Sequence, residues 1–202
     1  MNRLIIRNDK EFQAMQKIGR IVANTLQEMA AATRVGITTG ELDQVCAACL
    51  RRYGAISAPM DQYNFPGYSC ISVNEEIAHG IPGDRVLQPG DMVNLDVSAM
   101  LDGYFSDSGV TLLLPPEDKV GKRLLKASQK ALENSIAAAV SGHRLSEIGK
   151  ATEETARSFG FGTIRNLCGH GVGHTLHDEP DMINNYYEPR DKRVVVEGMR
   201  CV

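Results

Sequence analysis

Apolar side chains recur every three or four positions in four separate stretches of the chain, and this period is typical of amphipathic α-helices. Two of the stretches begin with capping signals, because Asn8 stands three residues before Glu11 and Thr38 stands three residues before Glu41. The pattern therefore predicts four helices, over about 8–32, 38–53, 118–140 and 145–159.

Residues 68–113 have a different pattern, which is rich in Val, Ile, Tyr and Gly and is interrupted by Pro-Gly-Asp and Asp-Gly turn signals. Asp102-Gly103 lies between two strand-like runs, 92–99 and 104–114. An Asp-Gly pair between such runs favours a tight hairpin. We therefore expect an antiparallel sheet between the second and third helices.

The helix–helix–sheet order occurs twice, with a shift of 106 residues between the copies. Six pairs of positions match: Gly36 with Gly142, Glu41 with Glu147, Leu42 with Ile148, Arg51 with Arg157, Tyr53 with Phe159, and Gly54 with Gly160. The sequence thus predicts two similar αα-plus-sheet halves, about 8–114 and 117–202, within a single domain, 1–202. The strand equivalent to the one carrying Asp96 begins near Glu197, so we expect the second half to be incomplete through C-terminal truncation.

The bulk composition narrows the class of protein. Apolar residues make up 43% of the 202 residues and charged residues 23%, which are ordinary values for a globular chain. A net charge of −3 gives no electrostatic basis for binding nucleic acid or an anionic membrane. No window offers the roughly 18 apolar residues of a membrane span. We therefore expect a cytoplasmic protein with no membrane association and no nucleic-acid specificity.

The five cysteines favour reduced thiols over a disulfide framework in such a protein. Cys46 and Cys49 form a CxxC pair, a spacing that can indicate redox or zinc chemistry. The pair lies on the apolar side of the predicted helix 38–53, and no second CxxC is present to complete a zinc site. We therefore expect both thiols to pack in the core.

Two acids stand on opposite arms of the predicted hairpin. Asp96 and Asp107 are eleven residues apart and lie about five and four residues from the Asp102-Gly103 turn. Cross-strand neighbours on one face approach within roughly 5 Å, where two carboxylates repel unless they share a proton or bind a cation. They are either exposed strand acids or ligands of one or two divalent ions. The apolar strand around Asp96 favours the ions, because a buried carboxylate needs a partner.

Four histidines stand in settings that suit chemistry. His170 is flanked by glycines, which leave its imidazole unencumbered, and His174 follows four residues later. Mixed imidazole and carboxylate ligation suits Mn²⁺, Fe²⁺, Co²⁺ or Zn²⁺ better than Ca²⁺. The spacing also fits a zinc site on a helix, but the intervening Gly-Val-Gly disfavours a helix and no His-Glu-x-x-His motif is present. His79 and His177 are further candidates, although either could be structural.

Five short segments together resemble the type I (bacterial-type) methionine aminopeptidases. They are Ser72-Val73-Asn74-Glu75, His79-Gly80-Ile81-Pro82, Asn94-Leu95-Asp96-Val97, Gly103-Tyr104-Phe105-Ser106-Asp107 and Gly169-His170-Gly171-Val172-Gly173. The resemblance extends from about Glu11 to Met199, in the family's order and spacing. It implies an α+β pita-bread fold, shared with creatinase, in which two αα-plus-antiparallel-sheet halves are related by a pseudo-twofold axis.

The resemblance implies that Asp96, Asp107 and His170 are metal ligands, with Asp107 bridging two ions. The implied cofactors are two divalent metal ions, drawn from Co, Mn, Fe, Zn or Ni. A water between them would lose a proton and attack the carbonyl after methionine. The family completes its site with two glutamates on a later hairpin, beyond Val202, so we expect this chain to hold metal poorly.

By the same resemblance His79 and His177 are catalytic, contacting the substrate and stabilising the tetrahedral intermediate. Phe65 and Cys70 match positions that line the pocket for the methionine side chain, and a soft apolar pocket suits a thioether. The implied function is removal of the initiator methionine from nascent proteins. The expected partners are polypeptide N-termini that begin with Met, near the ribosome, and the expected state is a monomer.

Other functions fit part of the pattern. An inactive fragment or a non-catalytic pita-bread binding protein would share the fold, but such a protein has no reason to retain five site residues together. A prolidase or creatinase would share the fold and ligands, but those relatives carry an additional N-terminal domain for which there is no room before Glu11. A metalloaminopeptidase is therefore the first expectation.

Overall fold

The computed structural model describes residues 5–202, which divide into two compact units. The N-terminal unit consists of residues 8–118 and 173–176, and the C-terminal unit consists of residues 5–7, 119–172 and 177–202. The first four residues of the predicted domain 1–202 lie outside the described part of the chain.

The predicted helices are all present, and their ends lie within two residues of the predicted ones. The N-terminal unit contains α1 (Asp9–Ala32), α2 (Thr39–Tyr53), β1 (Ile56–Ser57), α3 (Ala58–Tyr63), β2 (Cys70–Val73), β3 (Met92–Leu101) and β4 (Tyr104–Leu113). The C-terminal unit contains α4 (Lys119–Ala138), α5 (Leu145–Ser158), β5 (Cys168–Gly171) and β6 (Asp178–Asn184).

Strand β3 is the centre of the sheet in the N-terminal unit, where it pairs antiparallel with β1, β2 and β4. Its residues Val93, Leu95 and Val97 are fully buried in one core with side chains of α1 and α2. Because side chains alternate along a strand, the residues between them, including Asp96, point to the other face. The helices thus cover one face of the sheet, and the polar residues of β3 lie on the opposite face.

The hairpin of β3 and β4 turns at the predicted Asp-Gly pair. Asp102 and Gly103 have φ angles of 54° and 81°. Positive φ at both central residues is typical of the tight turn that matches the twist of two antiparallel strands. The prediction is confirmed, with β3 extending two residues further than expected, to Leu101.

The capping box at the start of α2 is present. The Thr38 hydroxyl accepts a hydrogen bond from the backbone N–H of Glu41 (3.0 Å), and the Glu41 carboxylate accepts one from the backbone N–H of Thr38 (2.8 Å). These two bonds satisfy backbone donors that a helix start otherwise leaves without partners. The hydrogen bonds from Thr38 also lower the pKa of Glu41 below its ordinary value.

Substituting Thr38→Ala is expected to lower the free energy of unfolding by about 1 kcal/mol, because the N–H of Glu41 loses its acceptor. Urea denaturation measures this change. Thr38→Ser keeps the hydroxyl and is the matched control. An equal loss of stability in both variants would contradict the capping argument.

The CxxC pair packs in the core, as predicted. Cys46 and Cys49 are both buried on α2, and the Cys49 sulfur accepts a hydrogen bond from the Thr25 hydroxyl (3.2 Å). Burial raises the pKa of Cys46 to about 12, so this thiol is neutral at physiological pH. All five cysteines are free, as expected for reduced thiols.

In the C-terminal unit α4 packs on α5, and β5 pairs antiparallel with β6. Residues 199–202 run beside β5. The backbone N–H of His170 donates to the carbonyl of Val202 (3.0 Å), and the N–H of Val202 donates to the carbonyl of His170 (2.9 Å). None of the helices within residues 5–202 combines the length and the apolar composition needed to cross a membrane.

Candidate metal centre

Asp96 and Asp107 lie on the same face of the β3–β4 hairpin, but they are not directly opposite one another. The register pairs Asp96 with Gly109 and Asp107 with Ser98, so the two acids are diagonal neighbours. Diagonal positions remain within reach of side chains, and the two carboxyl groups are close enough to hydrogen bond. The predicted approach of the two acids is thus confirmed, with Asp96 one residue further from the turn than the sequence count placed it.

This proximity has a clear electrostatic consequence. Burial, the negative charge of Asp107 and a hydrogen bond with Asp107 together raise the pKa of Asp96 to about 8, and burial is the largest cause. Two carboxyl groups in this position must therefore share a proton or bind a cation near neutral pH. The four oxygen atoms of the two carboxyl groups are the kind of ligand that divalent cations bind.

Cys70 lies beside the acid pair, because it is the β2 residue that faces Asp96 across the sheet. Burial, and after it the charges of Asp96 and Asp107, raise the pKa of its thiol to about 12. The thiol is therefore neutral and contributes a soft, weakly polar surface. Phe65 is half-buried in the segment before β2, where its backbone N–H donates to the carbonyl of Pro59 (3.2 Å).

His79 is exposed on the loop between β2 and β3, and its backbone has a φ angle of 57°. A residue with a side chain seldom adopts this left-handed conformation, which persists only where its surroundings impose it. The next residue, Gly80, is buried against β2. The imidazole therefore projects from a constrained point of the loop and remains accessible to solvent.

In the C-terminal unit His170 and His177 lie together, with their ring centroids 4.1 Å apart. His170 Nδ1 is 2.9 Å from the carbonyl oxygen of Gly171, and since a carbonyl can only accept, Nδ1 is the protonated nitrogen. In the neutral ring Nε2 then carries the lone pair that a metal ion requires. The β5–β6 register shifts between Gly169 and Gly171, so His170 also occupies the kind of strand irregularity that re-aims a side chain.

His174 has a different environment. Its Nδ1 donates a hydrogen bond to the carbonyl of Gly103 (3.1 Å), and its ring centroid lies 4.7 Å from that of Tyr104. His170 belongs to a strand, not to a helix. The alternative of a helical zinc site formed by His170 and His174 is therefore wrong.

Asp43 is a residue of this region that the sequence analysis missed. It is buried on α2, and its carboxylate accepts hydrogen bonds from the backbone N–H groups of Tyr68 (3.1 Å) and Ser69 (2.8 Å). These bonds hold the segment that leads into Cys70. The signal that could have revealed it is an acid next to Leu42 on the apolar side of an amphipathic helix.

Within residues 5–202, no three His, Cys, Asp or Glu side chains are grouped so as to hold a metal ion. The described residues provide two partial donor sets: the carboxylates of Asp96 and Asp107, and the imidazole of His170. Both sets match a divalent transition metal in chemistry, since carboxylate oxygen and imidazole nitrogen are its usual protein ligands.

Comparison with known proteins identifies the family. The profile described as "Metallopeptidase family M24" matches residues 13–201. A methionine aminopeptidase of Staphylococcus epidermidis is 44% identical over 196 residues, which are 96% of this chain and 78% of that protein. Methionine aminopeptidase 2 of Bacillus subtilis is 41% identical over 196 residues, which are 96% of this chain and 79% of that protein.

Solved structures agree with this result. Methionine aminopeptidase from Thermotoga maritima superposes with a TM-score of 0.92 at 32% identity, covering 97% of this chain and 79% of that one. Prolidase from Pyrococcus furiosus shares the fold, with a TM-score of 0.85 at 22% identity, covering 98% of this chain and 56% of that one. The predicted pita-bread fold is confirmed, and the family is one of metal-dependent peptidases. The chain therefore belongs to metallopeptidase family M24 and, within it, to the methionine aminopeptidases.

Proposed function

We propose that this chain removes the N-terminal methionine from polypeptides by metal-dependent hydrolysis of the first peptide bond. The observation that carries the proposal is the carboxylate pair of Asp96 and Asp107, which burial and mutual repulsion leave in need of a shared proton or a cation. The neutral thiol of Cys70 lies next to this pair and offers a surface compatible with a thioether.

The proposed metal ligands are Asp96, Asp107 and His170, and the proposed cofactors are two divalent ions of the Co, Mn, Fe, Zn or Ni group. The two carboxylates provide enough oxygen atoms to contact more than one ion. The Nδ1 hydrogen bond of His170 favours the tautomer in which Nε2 could act as a ligand, which supports this assignment. Bound at these residues, the metal would activate water and polarise the scissile carbonyl.

The proposed catalytic residues are His79 and His177, each of which is exposed and can donate an N–H to a developing oxyanion. The ring of His177 contacts the ring of His170 in a tilted arrangement, which places its imidazole beside a proposed ligand. The left-handed backbone of His79 restricts the directions in which its imidazole can point. Both residues would act by hydrogen bonding to the substrate carbonyl and would need no further proton transfer for this role.

The proposed pocket for the methionine side chain contains Phe65 and Cys70. An aromatic ring and a neutral thiol together make a polarizable apolar surface, which suits the unbranched thioether of methionine better than a charged or branched side chain. The substrate class is therefore peptides and nascent polypeptides that begin with Met. We propose that the two half-repeats form one monomeric peptidase domain that acts in the cytoplasm, near the ribosome.

The chain is expected to release free methionine from a Met-Ala-Ser peptide when Co²⁺ or Mn²⁺ is present, and to stop when a chelator is added. Amino-acid analysis of the products measures the release. A Leu-Ala-Ser peptide is the matched control for the pocket, and it should be cleaved more slowly.

Folded protein that releases no methionine with any of these metals would contradict the proposal. That outcome would favour the alternative of an inactive fragment or a non-catalytic pita-bread binding protein. Release that persists in the chelator would also contradict it, because the carboxylate pair would then have no catalytic part.

A further inference from the structure

The loop that carries His79 is attached to β2 immediately after the histidine. The backbone N–H of Gly80 donates to the Ser72 hydroxyl (3.1 Å), and the N–H of Ile71 donates to the carbonyl of Gly80 (2.9 Å). A Cβ on Gly80 would lie 2.2 Å from the carbonyl oxygen of Ile71, so only glycine allows this approach. The residue next to His79 is therefore held directly against the strand.

A second attachment holds the same loop to the start of α2. The Thr39 hydroxyl accepts from the N–H of Gly83 (2.9 Å) and lies 3.2 Å from the carbonyl oxygen of Gly83, to which it donates. The N–H of Gly40 donates to the same carbonyl (2.8 Å). This attachment lies four residues beyond His79, whereas the bond to Ser72 is adjacent to it.

Ser72 lies on the face of the sheet that carries the acid pair. It pairs with Asn94 on β3, two residues from Asp96, so the side chains of Ser72 and Asp96 point to the same side. Ser72 is buried, and its hydroxyl is the acceptor for a buried backbone N–H. Its hydrogen bond therefore joins the His79 loop to the sheet on the side where the metal ligands are proposed.

We propose that Ser72 is a positioning residue for His79. By accepting the N–H of Gly80, its hydroxyl maintains the left-handed backbone at His79 and so sets the position of the imidazole. This inference rests on the proposed catalytic role of His79. It assigns to Ser72 an effect on the reaction without any contact between Ser72 and the substrate.

The test compares Ser72→Ala with Thr39→Val in the same chain. Both substitutions remove a buried hydroxyl that binds the His79 loop, and both should lower the melting temperature. Only Ser72→Ala is expected to lower kcat, by roughly 10- to 100-fold, the effect of displacing a catalytic group by about an ångström. KM should change little, because a hydrogen bond made to the oxyanion contributes in the transition state.

NMR of the metal-free chain provides a measurement that does not depend on activity. In Ser72→Ala the imidazole signals of His79 and the amide proton of Gly80 should shift, and in Thr39→Val the His79 signals should stay close to those of the unsubstituted chain. Unshifted His79 signals in Ser72→Ala would overturn the inference, as would an equal loss of kcat in both variants. If the unsubstituted chain releases no methionine, the proposed function fails, and the His79 signals still decide whether Ser72 positions the imidazole.

Discussion

Substituting Asp107→Asn is expected to lower the rate of metal-dependent methionine release by more than about 100-fold. Substituting residues that only hydrogen bond to metal ligands already lowers metal affinity or activity by about 10- to 100-fold, and a ligand itself should matter more. Asn retains the size and one acceptor oxygen of Asp but loses the charge that binds a cation. Asp96 would remain, yet one carboxylate holds a divalent ion much less strongly than a pair. Steady-state kinetics at several metal concentrations measures the loss.

The same substitution is expected to make the metal-free chain more stable near neutral pH. The pKa of Asp96 is raised on folding to about 8, by burial first and then by the charge of Asp107. The folded state thus binds more protons than the unfolded state, whose carboxyl has a pKa of about 3.9. The associated stability is complete below that pH and is lost as the pH rises towards 8. Without the negative charge at position 107, less of this stability is lost between about pH 4 and pH 8.

Melting temperatures in a chelator at about pH 5 and about pH 8 test this consequence. The decrease between the two pH values should be smaller in Asp107→Asn than in the unsubstituted chain. Asp102→Asn is the matched control, since Asp102 is exposed in the turn of the same hairpin and Asn tolerates its positive φ. Retained activity in Asp107→Asn, or an unchanged pH dependence, would argue against a carboxylate pair that needs a cation.

Helices and the main hairpin could be predicted because their determinants are local in the sequence. The N-cap of α1 and the capping box of α2 each need only two residues three positions apart, such as Thr38 and Glu41. The hairpin turn needs only Asp102-Gly103 between two apolar runs. Each signal is contained within a few residues, so no knowledge of distant contacts was required.

The register of the two acids follows from the same turn, but the count along the sequence was one residue short. Because Leu101 pairs with Tyr104, Asp96 lies six residues from the turn and Asp107 lies four, which makes them diagonal neighbours. In a hairpin the turn fixes the register, and a one-residue error moves a side chain to the other face. Both acids lie on one face because their distances from the turn differ by two residues.

Features that depend on contacts between distant segments left at most a weak signal in the sequence. The left-handed backbone of His79 results from the approach of Gly80 to β2, and the burial of Asp43 results from hydrogen bonds to residues 25 and 26 positions further on. The family resemblance supplied the roles of the histidines, which spacing alone left open. Those roles stay predictions until the substitutions are made.

The glycines around His170 lead to a second large expected effect. The backbones of β5 and β6 approach closely there, since a Cβ on Gly171 would lie 2.1 Å from the carbonyl oxygen of Glu179 on β6. The atom that the Cβ would meet belongs to the backbone and not to a flexible side chain. Strands β5 and β6 would therefore have to move apart to accommodate the methyl group of alanine. Gly171→Ala is therefore expected to lower the free energy of unfolding by about 3 kcal/mol, the upper range for overpacking.

The loss of activity in Gly171→Ala should be larger than the fraction of unfolded protein explains, because moving β5 also moves His170. A displacement of about 1 Å can lower a catalytic rate about 100-fold. Gly162→Ala is the matched control, since no atom lies within 4 Å of the Cβ it would add. The free energy of unfolding of that variant should lie within about 1 kcal/mol of that of the unsubstituted chain. Urea denaturation and methionine release measured below the unfolding transition separate the two effects. If Gly171→Ala were as stable and as active as Gly162→Ala, the approach of β6 to β5 would not require a glycine at position 171. The placement of His170 would then need another explanation.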